Sequence, residues 1–301
     1  MLEEQLFPQF ETSATDLEKA LRTLASSRTK KYYDETSDRI NRDNYYASLP
    51  SINSLNPSEL FLALKNLLAQ THKNKLSYKP AARLYPWVDL YPDLKLRSIY
   101  SGEVFNPEEI IREDFRTEQI RNLQIQRLNK TVSAMSAVET RQVLALIEAR
   151  LPYNCEHVVP QSWFGKREPM KGDLHHLFTC EAKCNSYRGN HPFFDFPDFG
   201  ESISDRCGKL SQDKFEPSAG KGAVARATLY FLLRYPGEID PTEKEYKVES
   251  LKTLLQWHHS YRVTEYEKHR NMAIFEQQGN RNPLIDFPDW ADKIAFRLGI
   301  E

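Results

Sequence analysis

Residues 154–190, NCEHVVPQSWFGKREPMKGDLHHLFTCEAKCNSYRGN, restrict the fold more than any other stretch of the chain. Residues 153–159 read as a strand, followed by a basic loop, QSWFGKREPMKG. Residues 173–178 read as its partner strand, and a helix-forming stretch begins near Glu181. Two strands, a loop and a helix within about 35 residues make a β-β-α supersecondary unit. Into it the chain places Glu156, His157, Asp173, His175, His176, Asn185 and three of its four cysteines.

Around this unit the periodicity is helical. Leu17, Ala20, Leu21 and Leu24 follow a capping-box pattern, Thr15 to Glu18. The polar stretch at 26–51, with four Tyr, reads as a loop or extended arm. Asn56-Pro57 opens a second helix, because Asn caps well and Pro suits the first turn. Residues 96–100 read as a short strand. Helices are expected within 107–149, with Val138, Val143, Leu144, Leu146 and Ile147 on the apolar side of the last. Further helices are expected at 221–235, from Tyr246 to His258, and from the Thr264–Glu267 capping box to Gln277. The segment 195–215 reads as irregular. The expectation is an α+β, mostly helical single domain built around the β-β-α unit. Residues 1–50 form an N-terminal helix and arm, and 51–301 the main domain, with its core at about 152–190.

Composition narrows the function classes. With 40% hydrophobic and 28% charged residues the chain is globular. It has 41 basic and 42 acidic residues, so any nucleic-acid partner must be met by a local patch. Lys166, Arg167, Lys171, Lys183, Arg188, Lys209, Lys214, Lys221 and Arg226 supply candidates, with Arg167 and Lys171 the first choices for phosphate. Trp163, Phe164 and Tyr187 are candidate stacking surfaces. No run of about 18 apolar residues exists to span a membrane. The N-terminus lacks a basic start and a signal-length apolar core, which points to the cytoplasm. A monomer is the default.

Hydrolysis of a phosphodiester needs a base for water and a cation for the developing charge. His157 titrates near neutrality and suits the first role. Glu156 and Asn185 offer oxygens that suit a hard ion, Mg²⁺ first, with Ca²⁺ or Mn²⁺ as alternatives. Neighbours on a regular strand face opposite ways, so Glu156 and His157 must sit at a twisted strand end or bulge to share a site.

EHVVPQSWF, PMKGDLHHLF and CNSYRGNHPF, in that order, resemble the endonuclease I family of the ββα-metal, or His-Me finger, superfamily. HKNKLSY and IYSG upstream, and FEPSAGKGAVARATLYFLLRY and residues 254–290 downstream, extend the likeness over roughly 60–291. The resemblance implies an endonuclease acting on DNA, with RNA as an alternative, and little sequence specificity. It implies His157 as general base, Glu156 and Asn185 as metal ligands, and His176 as a support for the base or its loop. Arg188 matches an Arg of the last block, which fits either the scissile phosphate or an internal salt bridge. Related nucleases are often secreted or periplasmic. The chain departs from the pattern in three places. Thr179 stands where Pro is usual, the helical segment at 107–149 is longer, and Cys155, Cys180, Cys184 and Cys207 flank the site. The cysteines admit a structural Zn²⁺, disulfides or free buried thiols. The competing functional reading is a catalytically degenerate nucleic-acid-binding module with a cysteine-zinc core.

Overall fold

The computed structural model describes residues 14–129, 136–200, 205–240 and 248–300. The first 13 residues of the expected N-terminal segment, and the expected helix start at Tyr246, lie outside the described residues. In chain order, α1 (Ala14–Ser27), α2 (Glu35–Tyr46), α3 (Pro57–Thr71) and the single turn α4 (Pro80–Arg83) precede β1 (Leu96–Arg97) and β2 (Val104–Phe105). The long helices α5 (Pro107–Asn129) and α6 (Ala137–Arg150) lead into β3 (Cys155–His157), β4 (Leu177–Thr179) and α7 (Ala182–Arg188). A hairpin, β5 (Gly208–Ser211) and β6 (Lys214–Pro217), is followed by α8 (Lys221–Arg234), α9 (Val248–Ser260), α10 (Glu265–Gln278) and α11 (Pro283–Asp286). The described residues thus form a mainly helical α and β structure with three antiparallel two-stranded ladders, β1-β2, β3-β4 and β5-β6. None of the described helices is long and apolar enough to cross a membrane.

Local chemistry starts the helices where the sequence says it should. The Asn56 side chain accepts from the N–H of Ser58 and Glu59, and Glu59 returns the bond to Asn56. Thr264 and Glu267 do the same for α10. Such caps satisfy N–H groups that have no partner within the helix, and each stabilises by about 1 kcal/mol. The helix α8 is apolar almost all round and is buried from Val224 to Leu233, as an all-apolar helix must be. Leu60, Leu64 and Leu68 of α3 join Leu229, Leu232 and Leu233 of α8 in one core. A second core gathers Ala20 and Leu24 of α1, the 81–90 segment, Ile111 and Phe115 of α5, and Ile274 of α10.

The β3-β4 ladder lies between these cores. Cys155 and Leu177 belong to the second core, while Val158 and Phe178 belong to the first. Every residue of both strands is buried. Ion pairs fix the ladder to the helices. Arg270 of α10 is buried against Asp89 and donates to the carbonyls of Leu174 (3.0 Å) and Leu177 (2.8 Å). Asp89 also accepts from the Thr179 N–H (2.7 Å) and hydroxyl (2.6 Å). Proline could supply neither donor.

Several local expectations change. The 26–51 arm contains α2, whose Asp38, Tyr45 and Tyr46 are buried. Tertiary contact explains it: Asp38 pairs with Arg281, and Tyr46 donates to Asp286 at 2.8 Å. Thr15 is inside α1 rather than its cap, since Ala14 is already helical. Only 96–97 of the expected strand at 96–100 pair in a ladder. The 195–215 segment holds most of the β5-β6 hairpin, closed by Gln212 and Asp213 at φ 49° and 57°. Two left-handed residues suit a tight hairpin turn, but Gln-Asp is not the composition that announces one. Val138 and Leu146 of α6 are 61% and 56% exposed, so the expected apolar side of that helix is in part a surface.

Candidate active site

The strands are shorter than the segments 153–159 and 173–178 expected for them. Cys155, Glu156 and His157 pair with Thr179, Phe178 and Leu177. Residues 174–176 form a 3₁₀ turn instead of extending β4, because the Asp173 side chain accepts from the His175 N–H at 3.0 Å and caps it. Asp173 itself is fully buried and accepts from Tyr230 (2.8 Å), Tyr235 (2.9 Å) and Gln278 (3.0 Å).

His157 is the last residue of β3, and just beyond it the chain turns at Pro160. At that strand end Glu156 and His157 reach the same cavity, of about 230 Å³, which Asn185, Arg188, Gln161 and Lys166 also line. The His157 Nε2 lies 2.9 Å from the Lys171 carbonyl oxygen. A carbonyl only accepts, so Nε2 carries the proton and Nδ1 carries the lone pair. The Gln161 amide nitrogen donates to Nδ1 at 3.1 Å. Burial, then the neighbouring His176, hold the His157 pKa well below its ordinary value. The residue is therefore a neutral imidazole at neutral pH, with its basic nitrogen on the Gln161 side.

Glu156 is buried and accepts on one oxygen from the Tyr100 hydroxyl (2.6 Å) and from Arg188 (3.0 Å). The His157 backbone N–H is a further donor to the Glu156 carboxylate. Burial raises its pKa to about 7, against the opposing pull of Arg188 and the Tyr100 hydrogen bond. Asn185 sits mid-helix in α7 rather than at its start, and its amide nitrogen donates to the Cys155 carbonyl at 2.9 Å. That bond fixes the flip of the amide and leaves Oδ1 without a donor among the described residues. A carboxylate oxygen and an amide oxygen at one cavity are a donor set that fits a hard divalent cation.

The other expected residues distribute differently. Arg188 is 1% exposed, pairs with Glu156 and donates to the Val158 carbonyl at 2.9 Å, so it is the internal ion pair. His176 is buried, its Nε2 is 2.6 Å from the Met170 carbonyl, and its ring is 5.4 Å from that of His157. It packs behind His157 and holds the 170–172 turn, whose Lys171 carbonyl accepts from His157. Lys171 serves the site through its carbonyl, and its ammonium lies over the Tyr78 ring, 5.7 Å from the centroid. Arg167 pairs with Glu238 (2.9 Å) and donates to the Phe164 carbonyl (2.9 Å), so it braces the loop. Trp163 and Phe164 are buried with Phe231 and Tyr235, which removes them as stacking surfaces. Arg226 is buried against Glu267 and is no surface cation.

Cys184 and Cys207 form a disulfide, and Cys155 and Cys180 are buried free thiols. With two of the four sulfurs bonded to each other, these four residues form no Cys₄ zinc site. Glu181 lies near the two disulfide sulfurs, but sulfurs in a disulfide are not thiolate ligands.

Gln161 and Tyr100 are site residues that the sequence reading did not single out. Each had a signal. Gln161 follows His157 by four residues within EHVVPQ, and Tyr100 lies in the IYSG block.

Nucleases of known name are similar to part of the chain. The extracellular ribonuclease of Bacillus subtilis (strain 168) is 34% identical over 157 residues, 47% of this chain and 54% of that protein. The extracellular ribonuclease of Bacillus amyloliquefaciens is 36% identical over 157 residues, 47% of this chain and 53% of that protein. A periplasmic deoxyribonuclease of Aeromonas hydrophila is 27% identical over 154 residues, 44% of this chain and 62% of that protein. The chain thus spans about half the length of the Bacillus relatives it matches. The model of the endonuclease I family matches from residue 60 to residue 289, so the strand end and the cavity fall within it, and the protein belongs to the endonuclease I family.

Proposed function

We propose that the protein is a metal-dependent endonuclease that hydrolyses DNA, with RNA as a further substrate, and reads little base sequence. One observation carries the proposal: Glu156, His157 and Asn185 converge on one cavity as a neutral base and two hard oxygen donors. His157 takes the proton from the attacking water at Nδ1, where the water replaces the Gln161 amide, and the Lys171 carbonyl stabilises the resulting imidazolium through Nε2–H. Glu156 and Asn185 hold a divalent ion, Mg²⁺ first, as the ligands of a β-β-α metal site. When bound, that ion neutralises charge on the phosphate and on the departing oxygen. Tyr100 and Arg188 keep Glu156 in place, and Asn185 is aimed by Cys155. The names of the relatives, ribonucleases and deoxyribonucleases, support both substrate classes.

Plasmid nicking tests this reading. Cleavage is expected with Mg²⁺, none with EDTA, and a loss of about a hundredfold or more in His157→Ala. Full activity in His157→Ala, or cleavage unaffected by EDTA, removes the assignment.

A further inference from the structure

The carbonyl that accepts from the His157 Nε2–H belongs to the peptide joining Lys171 to Gly172. The N–H of that same peptide is the Gly172 N–H, and it donates to the Glu168 carboxylate at 2.9 Å. We infer that Glu168 is a positioning residue for His157: it grips the 171–172 peptide by its N–H and so aims the carbonyl that fixes the imidazole. This rests on the nuclease reading above and adds a residue that does not line the cavity.

Peptide geometry makes this link stiff. A trans peptide is planar and points its C=O and N–H in opposite directions, so a group that holds one end also orients the other. Carboxylate, peptide and imidazole form a relay of two hydrogen bonds, each of 2.9 Å. Bonds in such a chain polarise one another, which makes the Lys171 carbonyl a better acceptor. The turn needs the anchor, because Met170–Gly172 is a 3₁₀ turn of three residues and holds its place poorly by its own hydrogen bonds. Glu168 reaches the ring by a second route as well. The Tyr78 N–H donates to the same carboxylate. The Tyr78 ring packs on His157, with centroids 4.6 Å apart. Glu168 therefore ties together two of the groups that touch the imidazole. The three segments lie close: a Cβ on Gly172 would stand 1.8 Å from the Leu76 carbonyl oxygen and 3.1 Å from Glu168 Oε2. Although Glu168 is an exposed residue, burial raises the pKa of its carboxyl, as befits a group turned inward onto these donors.

The test compares Glu168→Ala and Glu168→Gln with the parent as full chains, and uses Glu108→Ala on α5 as a control for loss of an exposed carboxylate. Cleavage of a short duplex oligonucleotide in Mg²⁺ gives kcat and KM. The imidazole N–H signals of histidine-labelled protein, recorded by NMR without metal, report the His157 Nε2–H, which is assigned by its absence in His157→Ala. Glu168→Ala is expected to lower kcat about tenfold with KM changed by less than about twofold. Its Nε2–H signal should broaden or vanish through exchange with water. Glu168→Gln keeps an oxygen that accepts from Gly172 and should recover most of kcat and the signal. Glu108→Ala should match the parent in both. Parental kcat in Glu168→Ala, with the parent cleaving, overturns the inference alone. So does a lowered kcat with the parental Nε2–H signal, since the carbonyl is then still in place. A loss in both Glu168 variants that follows a lowered melting temperature makes the role structural and overturns it as well. A parent that does not cleave removes the nuclease reading, and the Nε2–H signal still tests Glu168.

Discussion

At the scale of single residues, the site is set by hydrogen bonds that orient each side chain. The Lys171 carbonyl accepts from Nε2–H and so selects the His157 tautomer; the Cys155 carbonyl accepts from the Asn185 amide and so aims its oxygen. Tyr100 and Arg188 donate to the same oxygen of Glu156 and fix its carboxylate. The position of the Lys171 carbonyl depends in turn on Gly172. A Cβ there would lie 1.8 Å from the Leu76 carbonyl oxygen, which no rotamer change can relieve because the obstacle is backbone. Gly172→Ala is therefore expected to push the 170–172 turn away from His157. The measurement is kcat together with oligonucleotide binding: kcat should fall at least tenfold while binding changes little, with about 1–3 kcal/mol of stability lost to overpacking. Wild-type kcat in this variant would show that the Lys171 carbonyl does not position the base.

At the scale of elements, β3 brings Glu156 and His157, and α7 brings Asn185 and Arg188. The two are joined by the Arg188–Glu156 pair and the Asn185–Cys155 bond. The Cys184–Cys207 disulfide ties α7 to the start of the β5-β6 hairpin across a sequence separation of 23. Closing a loop of that length stabilises by about 3 kcal/mol in the chain-entropy view. Replacing both cysteines with alanine should lower stability by that order in a denaturant titration. It should also raise the Mg²⁺ concentration for half-maximal cleavage, because Cys184 directly precedes Asn185. An unfolding midpoint equal to that of the parent would mean that the disulfide adds nothing to the anchoring of α7.

At the scale of the whole molecule, two apolar cores meet at the β3-β4 ladder, and buried charges cross between them. Arg226, Arg270 and Arg281 each pair with a buried carboxylate. Breaking one of these pairs would leave a charge without compensation. Asp114 is buried differently: Tyr85 donates to it at 2.7 Å and the Asn154 N–H and side-chain amide at 3.0 Å, with no ion pair to it among the described residues. Burial raises its pKa from 3.8 to about 6. The folded chain then binds this proton more tightly than the unfolded chain, so stability falls as pH rises from about 4 to about 6 and stays lost above. A shift of two units corresponds to about 3 kcal/mol at most. Asp173, whose carboxylate is held below its ordinary pKa by its neighbours against the cost of burial, acts in the opposite sense but at pH below 3.8. Buried histidines such as His157 and His176, whose pKa values are lowered, act in the opposite sense in both chains. In urea unfolding at pH 4, 5, 6 and 7 it is therefore the stability of the parent relative to Asp114→Asn that should decline. Equal pH dependence in the two chains would exclude Asp114 as its source.

Local sequence was enough for the helix starts at Pro57 and Glu265, the buried α8, the order of β3, β4 and α7, and the expectation that Glu156, His157 and Asn185 meet at one cavity. These are local matters: caps act over three residues, periodicity over one helix, and a motif keeps its order in the chain. Tertiary structure alone decided the tautomer of His157, the internal role of Arg188, the helix in the polar arm, and which two of four cysteines pair. It also decided that Arg167 faces Glu238 while Lys166 faces the cavity. Each of these depends on a partner far along the chain, as Tyr100 is 56 residues from Glu156 and Arg281 is 243 from Asp38. A polar side chain takes whichever partner folding buries beside it, and sequence spacing carries no record of that choice.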